Sequence, residues 1–331
     1  MSGRSRLAGT LAAAASAIVV AACGSSGGGG APSSSSSSNQ PTLQSNIASE
    51  VPQTIKTKGT IQVASDATYA PNEFVDPNTS AIAGWDIEFA KEISTVIGVP
   101  FNIQNITFAD IIPNMGQGAS SKYDLAFSSF TPTMEREANV DFVSYFTAGE
   151  SWITTSSGPT INAATDLCGL TVAVENTTTE QSDAYALIGK NPDGSALSGG
   201  SNHCSAAGKP DVTIHSFDKQ TEADTDVLSG HSQVDWADTP VAYYQVKLNP
   251  TLKVVGSPCG VGAYGIAVAK GNGLTQAITD AVKYLITGGF YKTLLDKWTV
   301  ASGAITADEV KLNDNSPSYI TAANGGSPCI S

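Results

Sequence analysis

From residue 60 onward, short apolar runs alternate with helical stripes. TIQVAS (60–65) and FNIQNI (101–106) have the pattern of strands, and YDLAF (123–127) is a third short apolar run. Between the first two, Ile87, Ala90, Ile93 and Ile97 recur at three- and four-residue steps, which predicts a helix with one apolar face, stopped by Gly98. FADIIPNMGQG (108–118) gives a shorter helical segment before the third strand. Strand and helix patterns resume with LTVAV (170–174), DVTIHSF (211–217) and VDWA (234–237). Leu274, Ile278, Ala281, Val282, Leu285 and Ile286 then form a helical stripe, Gly288 and Gly289 break it, and Phe290, Leu294 and Trp298 begin another. This alternation predicts an α/β protein with right-handed crossovers and parallel sheet.

Ahead of this body, Arg4 and Arg6 precede an uncharged Ala-rich run that ends VAAC at Cys23. The pattern is that of a lipoprotein signal peptide (1–22) with Cys23 as the acylated residue. The Gly/Ser-rich stretch that follows has almost no apolar content with which to offset the entropy of ordering, so residues 23–52 are expected to form a lipid-anchored tether. The formal charge of −13 becomes −15 when Arg4 and Arg6 leave with the signal, which makes nucleic acid and anionic lipid poor partners.

Two stretches carry the candidate chemistry. SSFTPTMER (128–136) places Ser129, Thr131 and Arg136 where a strand ends and a Thr-Pro helix start begins, with Thr131 as the expected cap. Unpaired N–H groups, hydroxyls and a planar guanidinium there suit a carboxylate. VDWADTP (234–240) repeats the junction with a carboxylate, Asp238, in place of the cation. Between the two, a molecule bearing both a carboxylate and an ammonium is held at both ends; a free amino acid has that form. In open α/β sheets ligands bind beyond the carboxyl ends of strands, where both junctions fall.

DATYAPNEF, GWDIEFAKEI, FADIIPNM, YDLAFSSFTPTMER, VDFVSYF and YGIAVAK, in this order over about residues 58–300, resemble the bacterial extracellular solute-binding proteins of family 3, the polar amino-acid receptors of ABC importers. The resemblance implies a type II periplasmic-binding-protein-like fold: two lobes, each a mainly parallel sheet flanked by helices, joined by two strand crossovers. Its implied division is lobe 1 at 53–152, lobe 2 at 153–258, a return to lobe 1 at 259–315 and a tail at 316–331. It further implies that Tyr69 and Phe108 flank the ligand's apolar part and that Ser129, Thr131, Arg136, Thr178 and Thr179 face its carboxylate. Asp238 then binds the ammonium, and Asp66 and Glu180 lie beside the ligand's side chain. Two departures stand out. Asn72 replaces an aromatic residue, so a more polar wall is expected there, and Thr177 replaces the Gly of the Gly-Thr-Thr loop.

Four further cysteines, Cys168, Cys204, Cys259 and Cys329, are an even set in a chain with an export signal, which favours disulfides. Of three possible pairings, Cys168 with Cys204 and Cys259 with Cys329 is preferred, since a bridge between lobes opposes closure. His203, His215 and His231 do not join them at metal-ligand spacing, and neither metal nor cofactor is expected. A Gly-x-Gly-x-x-Gly spacing from Gly260 to Gly265 leads into a strand-like run and not a helix, so it is no dinucleotide site. The expected protein is a monomeric, exported substrate-binding lipoprotein that delivers a polar amino acid to an ABC permease. Two acids, Asp66 and Glu180, favour arginine or lysine, with glutamine next. The alternatives are a dehydratase-like enzyme on the same fold, for which the motifs assemble no nucleophile and base, and a receptor that signals to a membrane sensor.

Overall fold

The computed structural model describes residues 40–116, 121–313 and 329–330. The leader, Cys23, most of the tether and most of the tail lie outside these residues. Among the described residues no helix is long and apolar enough to cross a membrane.

The body begins earlier than the sequence pattern placed it. α1 (Ser45–Glu50) and α2 (Gln53–Lys58) fall partly within the stretch assigned to the tether, yet Ile47, Val51 and Ile55 are buried in the first lobe's core. The two helices are six residues each, too short to show a stripe to a periodicity reading.

β1 (Ile61–Ser65) follows, then a small antiparallel sheet of β2 (Thr68–Tyr69), β3 (Glu73–Val75) and β4 (Ile82–Ala83). α3 (Trp85–Ile97), β5 (Phe101–Asn105), α4 (Phe108–Asn114) and β6 (Leu125–Ala126) complete the first part of lobe 1. One helical turn, α5 (Met134–Glu137), leads into β7 (Val140–Thr155), which enters lobe 2. There the chain forms β8 (Thr171–Glu175), α6 (Thr179–Ala186), α7 (His203–Ala206), β9 (Thr213–Phe217), α8 (Gln220–Leu228), β10 (Val234–Asp238) and α9 (Thr239–Leu248). β11 (Leu252–Ala269) returns to lobe 1, closed by α10 (Thr275–Thr287) and α11 (Phe290–Trp298).

The two lobes repeat one plan. In lobe 1, β1 lies between β5 and β6, all parallel; in lobe 2, β8 lies between β9 and β10, also parallel. An antiparallel strand completes each set, β11 beside β6 and β7 beside β10. Because β7 and β11 also pair with each other along both lobes, the crossovers merge the lobe sheets into one eight-stranded sheet. The β7/β11 ladder slips between Val255 and Cys259 and again before Gly262, where the strands pass from one lobe to the other. Such interruptions leave fewer hydrogen bonds to break and suit a hinge.

Lobe 1 packs Trp85, Phe89, Tyr145, Phe146 and Tyr264 with the apolar faces of α3 and α10. Lobe 2 packs Trp152 and Trp236 with Val172, Val174 and Leu187, and includes all four bridged cysteines. Both preferred disulfides are present, Cys168–Cys204 and Cys259–Cys329.

Candidate functional site

The carboxyl ends of β6 and β10, equivalent strands of the two lobes, face one pocket. On the β6 side the chain turns at Ser129, whose φ of 49° is left-handed, a conformation that costs a residue with a side chain roughly 1–2 kcal/mol. The turn is braced from behind: the Ser129 hydroxyl donates to Glu73 Oε1 at 2.9 Å and accepts from Asn72 Nδ2 at 2.9 Å. Asn72 Oδ1 in turn accepts from Trp85 Nε1 at 2.6 Å. Gly84 permits this, since a Cβ there would lie 1.9 Å from the Asn72 carbonyl oxygen. Asn72 is therefore a buried brace and not the polar wall its replacement of an aromatic residue implied.

The single turn α5 is capped by the Thr133 hydroxyl, which accepts from Arg136 N at 3.2 Å, so the cap is not Thr131. Thr131 instead presents its carbonyl to Arg136 Nη1 at 2.8 Å. The guanidinium carbon lies 5.3 Å from the Phe108 ring centre and 5.5 Å from that of Phe130, over faces whose quadrupole favours a cation. Arg136 Nη2 also crosses to lobe 2, donating to the Thr177 carbonyl at 2.8 Å. Thr177, where the family pattern has Gly, does adopt the Gly-like conformation, with φ 63°.

On the lobe 2 side the Thr178 hydroxyl caps α6, accepting from Gln181 N at 3.1 Å and donating to the Glu175 carbonyl at 2.8 Å. Thr179 donates to Glu180 Oε2 at 3.1 Å. Asp238 stands at the N-cap position of α9 but its side chain makes no capping hydrogen bond; its Oδ2 accepts from the Tyr264 hydroxyl at 2.7 Å. Burial, then the neighbouring Glu180 carboxylate, hold the Asp238 carboxyl well above its ordinary range. Burial raises Glu180 too, opposed by the Thr179 hydroxyl and by Arg136. Two carboxyls with raised proton affinity, side by side, form a place for an ammonium.

Nine of the ten expected residues line the pocket: Tyr69, Phe108, Ser129, Thr131 and Arg136 from lobe 1, and Thr178, Thr179, Glu180 and Asp238 from lobe 2. Tyr69 and Phe108 meet edge to face at 6.0 Å. Asp66 does not line it. It is 1% exposed, and its carboxylate accepts from Phe108 N at 2.7 Å and Thr68 Oγ1 at 2.8 Å. Glu180, expected across the cleft from Asp66, lies instead against Asp238, and the acid that faces Asp66 is Glu175. Gln220, Ser128, Ala237 and Val241 also line the pocket. Gln220 opens α8 just after a strand, the same strand-to-helix junction that marked Arg136 and Asp238, so that rule applied to DVTIHSF would have found it. Elsewhere, Glu150, Asp183 and Cys329 have ligand atoms within 4.8 Å of one another, but the Cys329 sulfur is committed to its disulfide.

Two lobes on one repeated plan, with a guanidinium and hydroxyls facing carboxylates across a cleft, define a solute-binding protein. The chain matches bacterial extracellular solute-binding proteins, family 3, over residues 61–301, and it belongs to that family. Arginine-binding protein ArgT of Corynebacterium glutamicum is 28% identical over 269 residues, 81% of this chain and 83% of the relative. ABC transporter glutamine-binding protein GlnH of Bacillus subtilis is 28% identical over 67% of this chain and 75% of its own length. Among solved structures, an ancestral arginine-binding protein bound to arginine superposes with a TM-score of 0.62 at 31% identity, covering 72% of this chain and 98% of that one.

Proposed function

We propose that this chain captures a basic L-amino acid, arginine or lysine, between its lobes and delivers it to an ABC permease in the membrane to which Cys23 anchors it. The observation that carries the reading is the charge lining the pocket: Glu180 and Asp238 against Arg136. An arriving ammonium favours the ionised form of both acids, and the wall then carries one net negative charge, which an amino acid of net charge +1 balances. A neutral ligand leaves that charge uncompensated in a partly desolvated cleft, and glutamate adds to it. In this reading Arg136 and the Thr131 hydroxyl hold the α-carboxylate at the end of the pocket that Thr178 and Thr179 also line, Asp238 and Glu180 hold the ammonium, and Tyr69 and Phe108 the side-chain methylenes. The arginine-binding relative and the arginine-bound ancestral protein support the choice of ligand. A binding role suffices for Arg136 and Asp238, which favours it over a dehydratase role.

Calorimetric titration with arginine, lysine, histidine, glutamine, glutamate and cystine tests the reading. Arginine or lysine is expected to bind tightest, and Arg136→Ala or Asp238→Ala to weaken it by about 3 kcal/mol or more, because the partner charge stays buried and unpaired. Tightest binding of glutamate, or near-native affinity in both variants, overturns it.

A further inference from the structure

Glu150 sits on β7 where the crossovers pass between the lobes, and its register partners are Asp238 of β10 on one side and Cys259 of β11 on the other. It stands outside the amino-acid pocket, as do Asp183 of α6 and the Cys259–Cys329 bridge. Ligand atoms of Glu150, Asp183 and Cys329 lie within 4.8 Å of one another, and all three residues are buried. Two observations mark the spot as unfinished. Asp183 is 0% exposed, yet neither of its carboxyl oxygens has a hydrogen-bond partner. Glu150 Oε2 lies 3.4 Å from Cys329 Sγ, and a disulfide sulfur carries no proton to donate. Gly260 keeps the space between them clear, since a Cβ there would lie 3.2 Å from Cys329 Sγ and 3.4 Å from Glu150 Oε1. Buried carboxyl oxygens rarely go without a donor or a cation, so this cluster lacks a component.

We propose that these side chains are a metal site that the disulfide closes: with the Cys259–Cys329 bond reduced, the two sulfurs, Glu150 and Asp183 bind a zinc-class divalent cation. Two thiolates and two carboxylates are a donor set that zinc takes in tetrahedral form, with neighbouring donors about 3.3–3.8 Å apart, so side chains already within 4.8 Å need only small shifts. Reduction does not set residue 329 adrift, because Ile330 beside it is buried in the lobe 2 core. Burial first, then Asp183, Glu180 and Asp238, hold the Glu150 carboxyl well above its ordinary range, and a dication relieves that crowding of acids. On binding, the ion displaces both thiol protons, and any proton the carboxyls hold, to solvent. A newly made chain has its thiols free until an oxidising compartment closes the bridge, so metal and disulfide are alternative ways of fastening residue 329 to β11.

The test takes the whole protein in its dithiol form. A phosphine reductant breaks the S–S bond and leaves as its oxide, water supplying the oxygen while its two protons pass to the sulfurs. After the reductant is removed, anaerobic competition against a chromophoric chelator should find about one Zn²⁺ bound at this site, and Co²⁺ in its place should show the thiolate charge-transfer and d–d bands of a tetrahedral centre. Because reduction also frees Cys168 and Cys204, the same titration on the reduced double variant Cys259→Ser, Cys329→Ser sets the background. Asp183→Asn and Glu150→Gln, each with its thiols intact, should weaken Zn²⁺ binding roughly tenfold or more. Zn²⁺ should also raise the melting midpoint of the reduced protein, as an ion that prefers the folded state does. Uptake no greater than that of the double-serine variant, equal uptake by the oxidised protein, affinity unchanged in both carboxyl variants, or a midpoint that Zn²⁺ leaves where it was overturns the site. If the reduced chain unfolds, recovery of its fold on adding Zn²⁺ supports the site and failure to recover overturns it.

Discussion

The two lobes share a strand plan but solve the problem of stability differently. Lobe 1 is held by an aromatic nest: Trp85 lies 4.6 Å from Phe146 and 5.8 Å from Tyr145, and Phe89 stacks on Tyr145 at 5.7 Å. Among the described residues lobe 2 has the pair Trp152 and Trp236, 5.4 Å apart, a looser contact of His215 with Phe217 at 6.5 Å, and both disulfides. It also buries the acids Glu150, Glu175, Glu180, Asp183, Asp224 and Asp235, against Asp66, Glu73, Asp86 and Asp124 among the described residues of lobe 1. Each such acid weakens a fold unless it is paired or protonated. The difference teaches where the binding chemistry is stored. Lobe 1 presents one cation and hydroxyls to the pocket from a frame packed by aromatic rings, and lobe 2 presents carboxyls from a frame in which more acids are buried and covalent links help to hold them in place.

The sharpest way to break this comparison is to cut the link within lobe 2. Replacing both Cys168 and Cys204 by Ala frees a loop with a sequence separation of 36 and should cost about 4 kcal/mol through the gain in unfolded-chain entropy. Urea unfolding measures the loss, and hydrogen exchange should confine it to lobe 2. Equal loss of protection in lobe 1 would show that the lobes unfold as one unit and that the contrast is only compositional.

A smaller effect should come from pH. Asp86 in lobe 1 is raised to about 7, Asp224 in lobe 2 to about 6 and Glu175 to about 10, each mainly by burial. An acid raised on folding holds its proton longer in the native state than in the unfolded chain, so its stabilising contribution is complete near pH 4 and is lost as pH rises through the folded value. Ligand-free protein should therefore be less stable at pH 8 than at pH 5.5 by roughly 2 kcal/mol, neighbouring acids sharing protons and so limiting the sum. Exchange rates at the two pH values should place most of the loss in lobe 2, and stability that climbs over this interval contradicts the assignment of buried neutral acids.

The smallest change sharpens the comparison at one residue. Thr177→Gly relieves a left-handed φ of 63° and should stabilise lobe 2 by about 0.5–1 kcal/mol, visible as a raised unfolding midpoint. Ligand affinity should stay as it was, because the atom that reaches Arg136 is the Thr177 backbone carbonyl. A loss of affinity instead would mean that the Thr177 side chain itself holds the loop.

What the sequence alone determined about this protein was what local chemistry imposes. Strand-to-helix junctions marked Arg136 and Asp238, a helical stripe marked α3, cysteine parity and the lobe division paired the disulfides, and ordered motifs marked the family. These signals survive in one dimension because period, cap and turn depend on neighbours in the chain. Tertiary structure decided where side chains point once the chain has crossed between lobes. It turned Glu180 toward Asp238, tied the Asp66 carboxylate to Thr68 and the Phe108 backbone, made Asn72 a brace and brought Glu175 to face Asp66. On a helix one residue is about 100° of direction and on a strand it is a change of face, so a role assigned to an acid near a junction passes to a different acid a few residues away. The continuous sheet was decided the same way, since β7 and β11 are about a hundred residues apart in sequence and only long-range pairing reveals that the two crossovers are each other's partners.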